Sequence, residues 1–365
     1  MTSNEPLVAT SLKLVRDLRE AGRRGGRAPL VLALEMLGLR IGRHRLRFEE
    51  YLDYRLFRPE LTWAQKKRFV GSWIKDRVYR VQDPETARLG SDKLRLYQHL
   101  GELGFPHPRL LAATFPSIEI AGVAALRSSA AVADWLRDAV YPVFMKPAVS
   151  YRGFGNKLIT AIDRGSDSLV YRDGVREPIA ALAGRLGAPG AATMLFQQMI
   201  ALHPAIATLT GDRVATARIL VLNDSTEPEI FRAGFRIPVG DSMVDNFRGG
   251  KTSNLLARLD LETGRVIDVL AGIGLDWQTV DRHPDTGVRF AAFTIPDWQA
   301  ARALVIAASR AMPGLLIHHW DVAFTGSGPV LLETNPRGDF GIPQITTERG
   351  LADDRFLRLY GNGRI

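Results

Sequence analysis

The stretch Trp320-Asp321-Val322, followed after a turn by Val330-Leu331-Leu332-Glu333-Thr334-Asn335-Pro336-Arg337, decides the reading of this chain. Both runs are apolar and β-prone, and they predict strands over Ile317 to Phe324 and Pro329 to Thr334. Alternate residues of a strand share a face, so Glu333 and Asn335 project together. Asp321, twelve residues before Glu333, would reach the same place from the neighbouring antiparallel strand. Two carboxylates and an amide oxygen make an oxygen-only donor set, suited to a hard cation such as Mg²⁺ that holds phosphate oxygens at its open positions. Asp and Asn also flank turns, and Glu333 could cap a strand. Acids within otherwise apolar strands nevertheless need partners.

Working outward, Val143-Phe144-Met145-Lys146-Pro147 runs into Ser150-Tyr151-Arg152-Gly153-Phe154-Gly155-Asn156, a strand that ends in lysine and then a glycine-bearing loop. Glycines admit backbone N–H groups close to phosphate oxygens while an ammonium neutralises charge. The same residues also suit an ordinary hairpin. Phe196-Gln197-Gln198-Met199-Ile200 reads as a strand that stops where a planar base could meet backbone groups, or simply as an edge strand. Further strands are expected over Lys157 to Ile162, Thr193 to Gln198, Arg218 to Asn223, Glu229 to Ile237 and Asn254 to Asp260. Helices are expected from Lys93 to Gly101, Ala130 to Ala139 and Asp297 to Ala311. Strands in runs with helices appended argue for α+β layers.

The first eighty residues are different. Apolar residues recur at helical spacing, as in Leu12, Val15 and Leu18, and no G-x-G-x-x-G follows a strand there. This region carries 18 Lys+Arg against 9 Asp+Glu, whereas the remaining 30 and 30 balance within totals of 48 and 39. The basic excess fits nucleic acid, anionic lipid or an acidic partner, and equally a set of solvated helical faces. No helix-turn-helix, zinc or RNA-binding signature is present, so no nucleic acid is expected. The chain has no cysteine, which excludes disulfides and thiolate chemistry and fits a reducing compartment. Neither a secretory signal nor a transmembrane segment is read in the sequence, since the best apolar run, Pro29 to Leu39, is interrupted by Glu35. A cytoplasmic location is expected, with peripheral membrane contact through the basic N-terminus left open.

Taken in order, these motifs resemble the ATP-grasp superfamily. Asp92-Lys93 opens a helix before Gly104-Phe105-Pro106-His107-Pro108, Lys146 and the Gly153/Gly155 loop follow, then the Gln197 to Ile200 hinge, then Asp321, Glu333 and Asn335. His203-Pro204-Ala205, Thr216-Ala217-Arg218-Ile219, Val244-Asp245-Asn246-Phe247-Arg248-Gly249-Gly250 and His319-Trp320-Asp321-Val322-Ala323 are similar to its sugar-transfer-associated branch. The resemblance implies an ATP-grasp fold: a helical region over 1–88, a lobe with phosphate loop and adenine hinge over 89–200, and a metal-bearing lobe over 201–365. It implies that Lys93 and Lys146 neutralise phosphates, that the loop from Ser150 closes over them, and that Gln197, Gln198 and Ile200 read adenine. It further implies that Asp321, Glu333 and Asn335 hold Mg²⁺ and that Arg218 stabilises the transferred phosphoryl group. Asn246, Arg248 and Arg337 could grip an anionic acceptor, or simply face solvent. The implied activity joins a small-molecule carboxylate to an amine or thiol through an acylphosphate, with a hydroxyl kinase or an inactive nucleotide-binding module as alternatives. Two departures stand out. Gln197-Gln198 replaces the usual acidic hinge, and the N-terminal region is helical where many members carry a Rossmann-like substrate domain.

Overall fold

The computed structural model describes residues 5–43, 45–149, 155–223, 227–240, 245–247 and 252–360. Its N-terminal region is helical: α1 (Glu5–Gly25), α2 (Pro29–Ile41), α3 (Phe48–Asp53), α4 (Trp63–Lys66), α5 (Lys75–Tyr79), α6 (Pro84–Ser91) and α7 (Lys93–Glu102). The helix starts follow local chemistry. The Asp83 side chain accepts from the Thr86 N–H before α6, and the Asp92 carboxylate accepts from the Leu94 N–H at 2.9 Å before α7.

Two sheets follow. The first contains β1 (Leu110–Thr114), β2 (Ala124–Leu126), β3 (Val143–Pro147), β4 (Lys157–Asp163), β5 (Ser168–Tyr171), β6 (Arg176–Pro178) and β7 (Met194–Gln198), in the order β2-β1-β7-β3-β4-β5-β6. Only β1 and β2 run parallel within it. Helices α8 (Ser129–Asp138) and α9 (Ile179–Leu186) cover one face, placing Val132, Leu136 and Leu182 on Val143, Met145 and Phe196. The opposite face presents Leu110, Ala113 and Leu195 to a large core shared with the second sheet.

That second sheet is antiparallel. It contains β8 (Thr216–Asn223), β9 (Pro228–Ile237), β10 (Leu255–Leu259), β11 (Val266–Ala271), β12 (Gln278–Thr279), β13 (Ile317–Thr325) and β14 (Gly328–Thr334), ordered β12-β11-β10-β9-β8-β13-β14. Helix α10 (Pro204–Thr210) leads into it, α11 (Trp298–Arg310) packs on it, and α12 (Gly341–Thr347) and α13 (Asp354–Tyr360) follow it. Buried Trp298, Ala301, Val305 and Ala308 recur at helical spacing and set α11 against Ile219, Val221, Trp320 and Val322. The other face receives the N-terminal helices. Val70, Ile74 and Val78 pack with Leu220, Phe231, Ile317 and Phe356, while Tyr51 and Phe69 pack with Leu256, Leu270 and Ile345. Every residue of β13 is therefore buried, the pattern of a strand covered on both faces.

The expected α+β architecture with a helical N-terminal region is the one observed. Strands β1, β2, β5, β6, β11 and β12 were not anticipated; most are short, and β1 follows the extended 105–109 segment without a turn signal of its own.

Candidate nucleotide and metal site

Register builds the centre of the site. Arg218 on β8 lies opposite Asp321 on β13, and Asp321 lies opposite Glu333 on β14, so three charges form a row across neighbouring strands. The Asn335 amide donates to Glu333 Oε1 at 3.2 Å, as their shared face requires. From the first sheet and its preceding helix come two ammonium groups. Lys93, the first residue of α7, brings Nζ within 3.2 Å of Glu333 Oε2, and its backbone N–H donates to the Ala148 carbonyl at 3.0 Å. Lys146, near the end of β3, donates to the Tyr97 hydroxyl at 2.7 Å and sits 5.0 Å from that ring's centre. Tyr97 in turn donates to the Leu332 carbonyl at 2.6 Å, tying the lysine of one sheet to a strand of the other.

Electrostatics follow from this crowding. Burial pushes the Lys146 ammonium down to about 7, neighbouring Lys93 adds to the effect, and Glu333 opposes it. Burial would raise the Glu333 carboxyl, but Lys93, Arg218 and Lys146 together hold it well below the usual carboxylate range. The Tyr97 hydroxyl is pushed well above its ordinary value by burial and by Glu333, so it stays protonated and can act as donor.

Behind this row lies a second, fully buried cluster. Arg218 makes a two-pronged pair with Asp321, its second contact at 2.8 Å, and Arg236 from β9 reaches the same carboxylate at 2.8 Å. Arg236 also donates to the Thr216 hydroxyl at 3.1 Å and lies 3.3 Å from Asp245, to which that hydroxyl itself donates. Burial raises the Asp245 carboxyl to about 6 against the pull of Arg236, with Asp321 adding to the rise. On the same face, the Tyr79 hydroxyl donates to the Gly338 carbonyl at 2.8 Å, so His319 must present Nε2–H to that hydroxyl at 2.9 Å. His319 Nδ1 is then a buried acceptor with no partner among the described residues. Burial, with Arg218 nearby, holds this imidazole well below its ordinary value and keeps it neutral.

The structure thus brings Lys93, Lys146, Arg218, Asp321, Glu333 and Asn335 together. Two of the expected assignments change on inspection. Arg218 does not present its guanidinium to an open phosphate position but engages Asp321, and both oxygens of Asp321 are occupied by Arg218 and Arg236. Arg337 pairs instead with Asp76, both half-exposed or more. The carbonyl of Asn246, next to Asp245, accepts from Thr252 and Asn254. Gly155 holds a left-handed φ of +82°, a conformation open to glycine, at the base of the anticipated loop. Ser150, Gly153 and Arg248 lie outside the described residues.

The hinge residues divide between two environments. Gln197 is buried, lies opposite Phe144 on the face that also carries Lys146, and its Oε1 has no partner among the described residues. Gln198, Met199 and Ile200 line a pocket of about 840 Å³ with Arg109, Tyr141 and Leu202. That volume is in the range of small-molecule sites. Its walls do not include Lys93, Lys146 or Glu333, so pocket and charged cluster are separate features joined along β7.

Tyr97, Arg236, Asp245 and His319 were not singled out as functional from sequence. A signal existed for Tyr97, which follows Lys93 by four residues and so stands above it on one helix face. A divalent cation fits Glu333 and Asn335, adjacent oxygens on the exposed side of the row. It fits Asp321 only if an arginine releases an oxygen. Among the described residues, no three His, Asp or Glu side chains converge as a metal site.

Two sheets that share a core thus carry two lysines, a Glu-x-Asn at the end of β14 and a strand that stops beside a pocket. The chain belongs to the sugar-transfer associated ATP-grasp family, whose model matches residues 76–357. No curated protein matches. Among solved structures, the chain is similar to the D-alanine-D-alanine ligase from Coxiella burnetii, at 11% identity and a TM-score of 0.43, covering 76% of this chain and 57% of that one. It is similar to a D-Ala:D-Ser ligase from Enterococcus faecalis at 13% identity and a TM-score of 0.41, covering 76% and 62%. An N5-carboxyaminoimidazole synthase from Aspergillus clavatus, in complex with ADP and 5-aminoimidazole ribonucleotide, gives 13% identity and a TM-score of 0.38, covering 73% and 51%. The chain spans less than two thirds of each of these, and the family match carries the assignment.

Proposed function

We propose that this protein is an ATP-dependent ligase that activates a small-molecule carboxylate as an acylphosphate and joins it to an amine or thiol. The observation that carries the reading is the convergence of Lys93 and Lys146 from one side on Glu333 and Asn335 from the other, bridged by Tyr97. Phosphoryl transfer asks mainly for positioning and charge neutralisation. Lys93 and Lys146 would bind the α- and β-phosphates, exchanging their contacts with Glu333 and Tyr97 for phosphate oxygens. The Gln198 carbonyl and the Ile200 N–H would read adenine, with the unpartnered Gln197 amide oxygen available beside them. Glu333 and Asn335 would hold Mg²⁺, which supplies neutralisation of the phosphate charge when bound. A substrate carboxylate oxygen attacks the γ-phosphorus as its bond to ADP breaks. The amine nitrogen then attacks the acyl carbon, phosphate leaves, and the amine proton passes to solvent. Arg218 and Arg236 position Asp321 and supply positive potential behind the row.

The family description supports a role beside sugar transfer; a sugar acid or amino acid as substrate in cell-surface polysaccharide assembly is the narrower reading, with Asn246, Arg248 and, once released from Asp76, Arg337 as candidate acceptor contacts. The occupied state of Asp321 favours a second reading, a nucleotide-binding module without turnover. Calorimetry of ATP binding with and without Mg²⁺ tests the first step, comparing wild type with Lys146→Ala and with Glu333→Gln/Asn335→Ala. Magnesium-dependent binding lost in both variants, followed by ADP release on mixtures of sugar acids and amino acids, supports the ligase. Binding without ADP release under any mixture supports the module.

A further inference from the structure

Helix α2 has the sequence PLVLALEMLGLRI and is apolar but for Glu35, which pairs inward with Arg27 and Lys66, and Arg40, a composition that belongs inside a core or against a membrane. Only one side is covered. Leu32, Met36 and Leu39 are buried, while Leu30, Leu34, Leu37 and Ile41 are 71, 62, 49 and 77% exposed. At 100° per residue these four fall within about 60° of one another, so they form one stripe running the length of the helix, about 20 Å. Two indole rings flank it, each 43% exposed. Trp63 stands against Gly38 on one side, where an added Cβ would meet its ring at 3.2 Å. Trp73 stands on the other, with the Arg40 guanidinium 4.3 Å from its centre. Beyond the stripe, Arg40, Arg43, Arg45 and Arg47 occur within eight residues without an intervening acid.

We infer that this face is a docking surface for an anionic lipid bilayer, with α2 lying in the plane of the interface. A helix with a continuous apolar stripe, interfacial tryptophans and adjoining arginines matches what a headgroup boundary recognises: acyl chains under the stripe, indoles at the headgroups, guanidinium groups on lipid phosphates. A second copy of the chain fits worse. A two-fold contact with the two copies of α2 parallel would bring the same arginines together across the seam, and one with them antiparallel would leave those arginines unopposed by any acid of the stripe. The basic excess of the first eighty residues, 18 against 9, then has a place to act that the nucleotide site does not need. The inference does not rest on the ligase reading.

The test is flotation of the full chain with phosphatidylcholine vesicles with and without phosphatidylglycerol. Co-flotation with the anionic vesicles, weakened by salt and abolished in Leu34→Glu/Ile41→Glu, is expected. Because both positions are solvent-facing, thermal melting and ATP binding of that variant should match wild type. Arg43→Gln/Arg45→Gln is expected to lower partitioning about thirtyfold, from the attraction each arginine feels at an anionic surface. Equal flotation with neutral and anionic vesicles, or flotation unchanged in Leu34→Glu/Ile41→Glu, overturns the inference. So does a wild type that ignores vesicles yet dimerises in light scattering and becomes monomeric in Leu34→Glu/Ile41→Glu, which assigns the face to a second copy.

Discussion

Under the proposed function, Lys146 is the group whose ionisation most directly couples stability to nucleotide binding. Its ammonium is pushed down to about 7 from an ordinary 10.5 by burial and by Lys93. Between those values the unfolded chain holds a proton that the folded chain has released, so stability rises with pH across that window. The penalty for burying the charge is greatest below pH 7 and is relieved as pH climbs. Integrating the two titrations from pH 7 to 9 gives a gain of about 2 kcal/mol attributable to this residue, at 1.36 kcal/mol per unit. The perturbation is Lys146→Met, which keeps the packing and removes the titration. Urea unfolding of both proteins at pH 7 and pH 9 should show wild-type stability rising relative to the variant by about that amount. A difference that stays flat with pH would falsify the argument that burial has depressed this lysine. A second readout follows at pH 8, where nucleotide binding should recharge the amine. Calorimetry of the wild type in buffers of different ionisation enthalpy should find an uptake close to one proton there and far less at pH 6, where the amine is already charged.

Other outcomes follow from the same geometry. Asp321→Asn leaves Arg218 and Arg236 buried with one fewer counter-charge and should cost about 3–5 kcal/mol in denaturant unfolding, whereas replacing Asp321 and Arg218 together by leucine and methionine should cost less. Glu333→Gln should lower stability by about 2 kcal/mol at neutral pH. Because the Glu333 carboxyl lies below its ordinary 4.5, its contribution is present above that value and lost as pH falls through the folded one, so the variant's stability curve should be flatter on the acid side. Gly350→Ala places a methyl against the Arg68 backbone; a loss of at least about 2 kcal/mol is expected, measured by thermal melting.

What sequence could and could not show divides along physical lines. The nearness of Asp321 and Glu333 was readable because a short turn makes their strands antiparallel neighbours, but the register running from Thr325 and Gly328 would set Asp321 against Leu332, and an irregularity between Asp321 and Val322 that spacing does not show brings Glu333 opposite it. Lys93 was readable from the Asp92 cap that sets the first turn of α7. Arg236 was not, because an arginine within Phe235-Arg236-Ile237 reads as the solvent-facing half of an alternating strand. Only the helices packed on that face reveal it as buried. The engagement of Asp321 by two arginines is likewise invisible to spacing, since Arg218 and Arg236 lie on different strands whose order the sequence does not state. Arg337 sits two residues beyond the Glu-x-Asn and looked like part of the site, but the chain turns after Asn335 and directs it to Asp76.

Helix α7 carries Lys93 and Tyr97 one turn apart, and through them it touches Glu333, Lys146 and the Leu332 carbonyl. The helix thereby acts as a ruler. Its rise of about 5.4 Å per turn sets how far along the helix Tyr97, which holds the Lys146 ammonium, stands from Lys93. Side chains in its last turn can vary without disturbing the interval. A single residue inserted between 93 and 97 would rotate one mark about 100° away from the other, and lengthening the site would take whole turns.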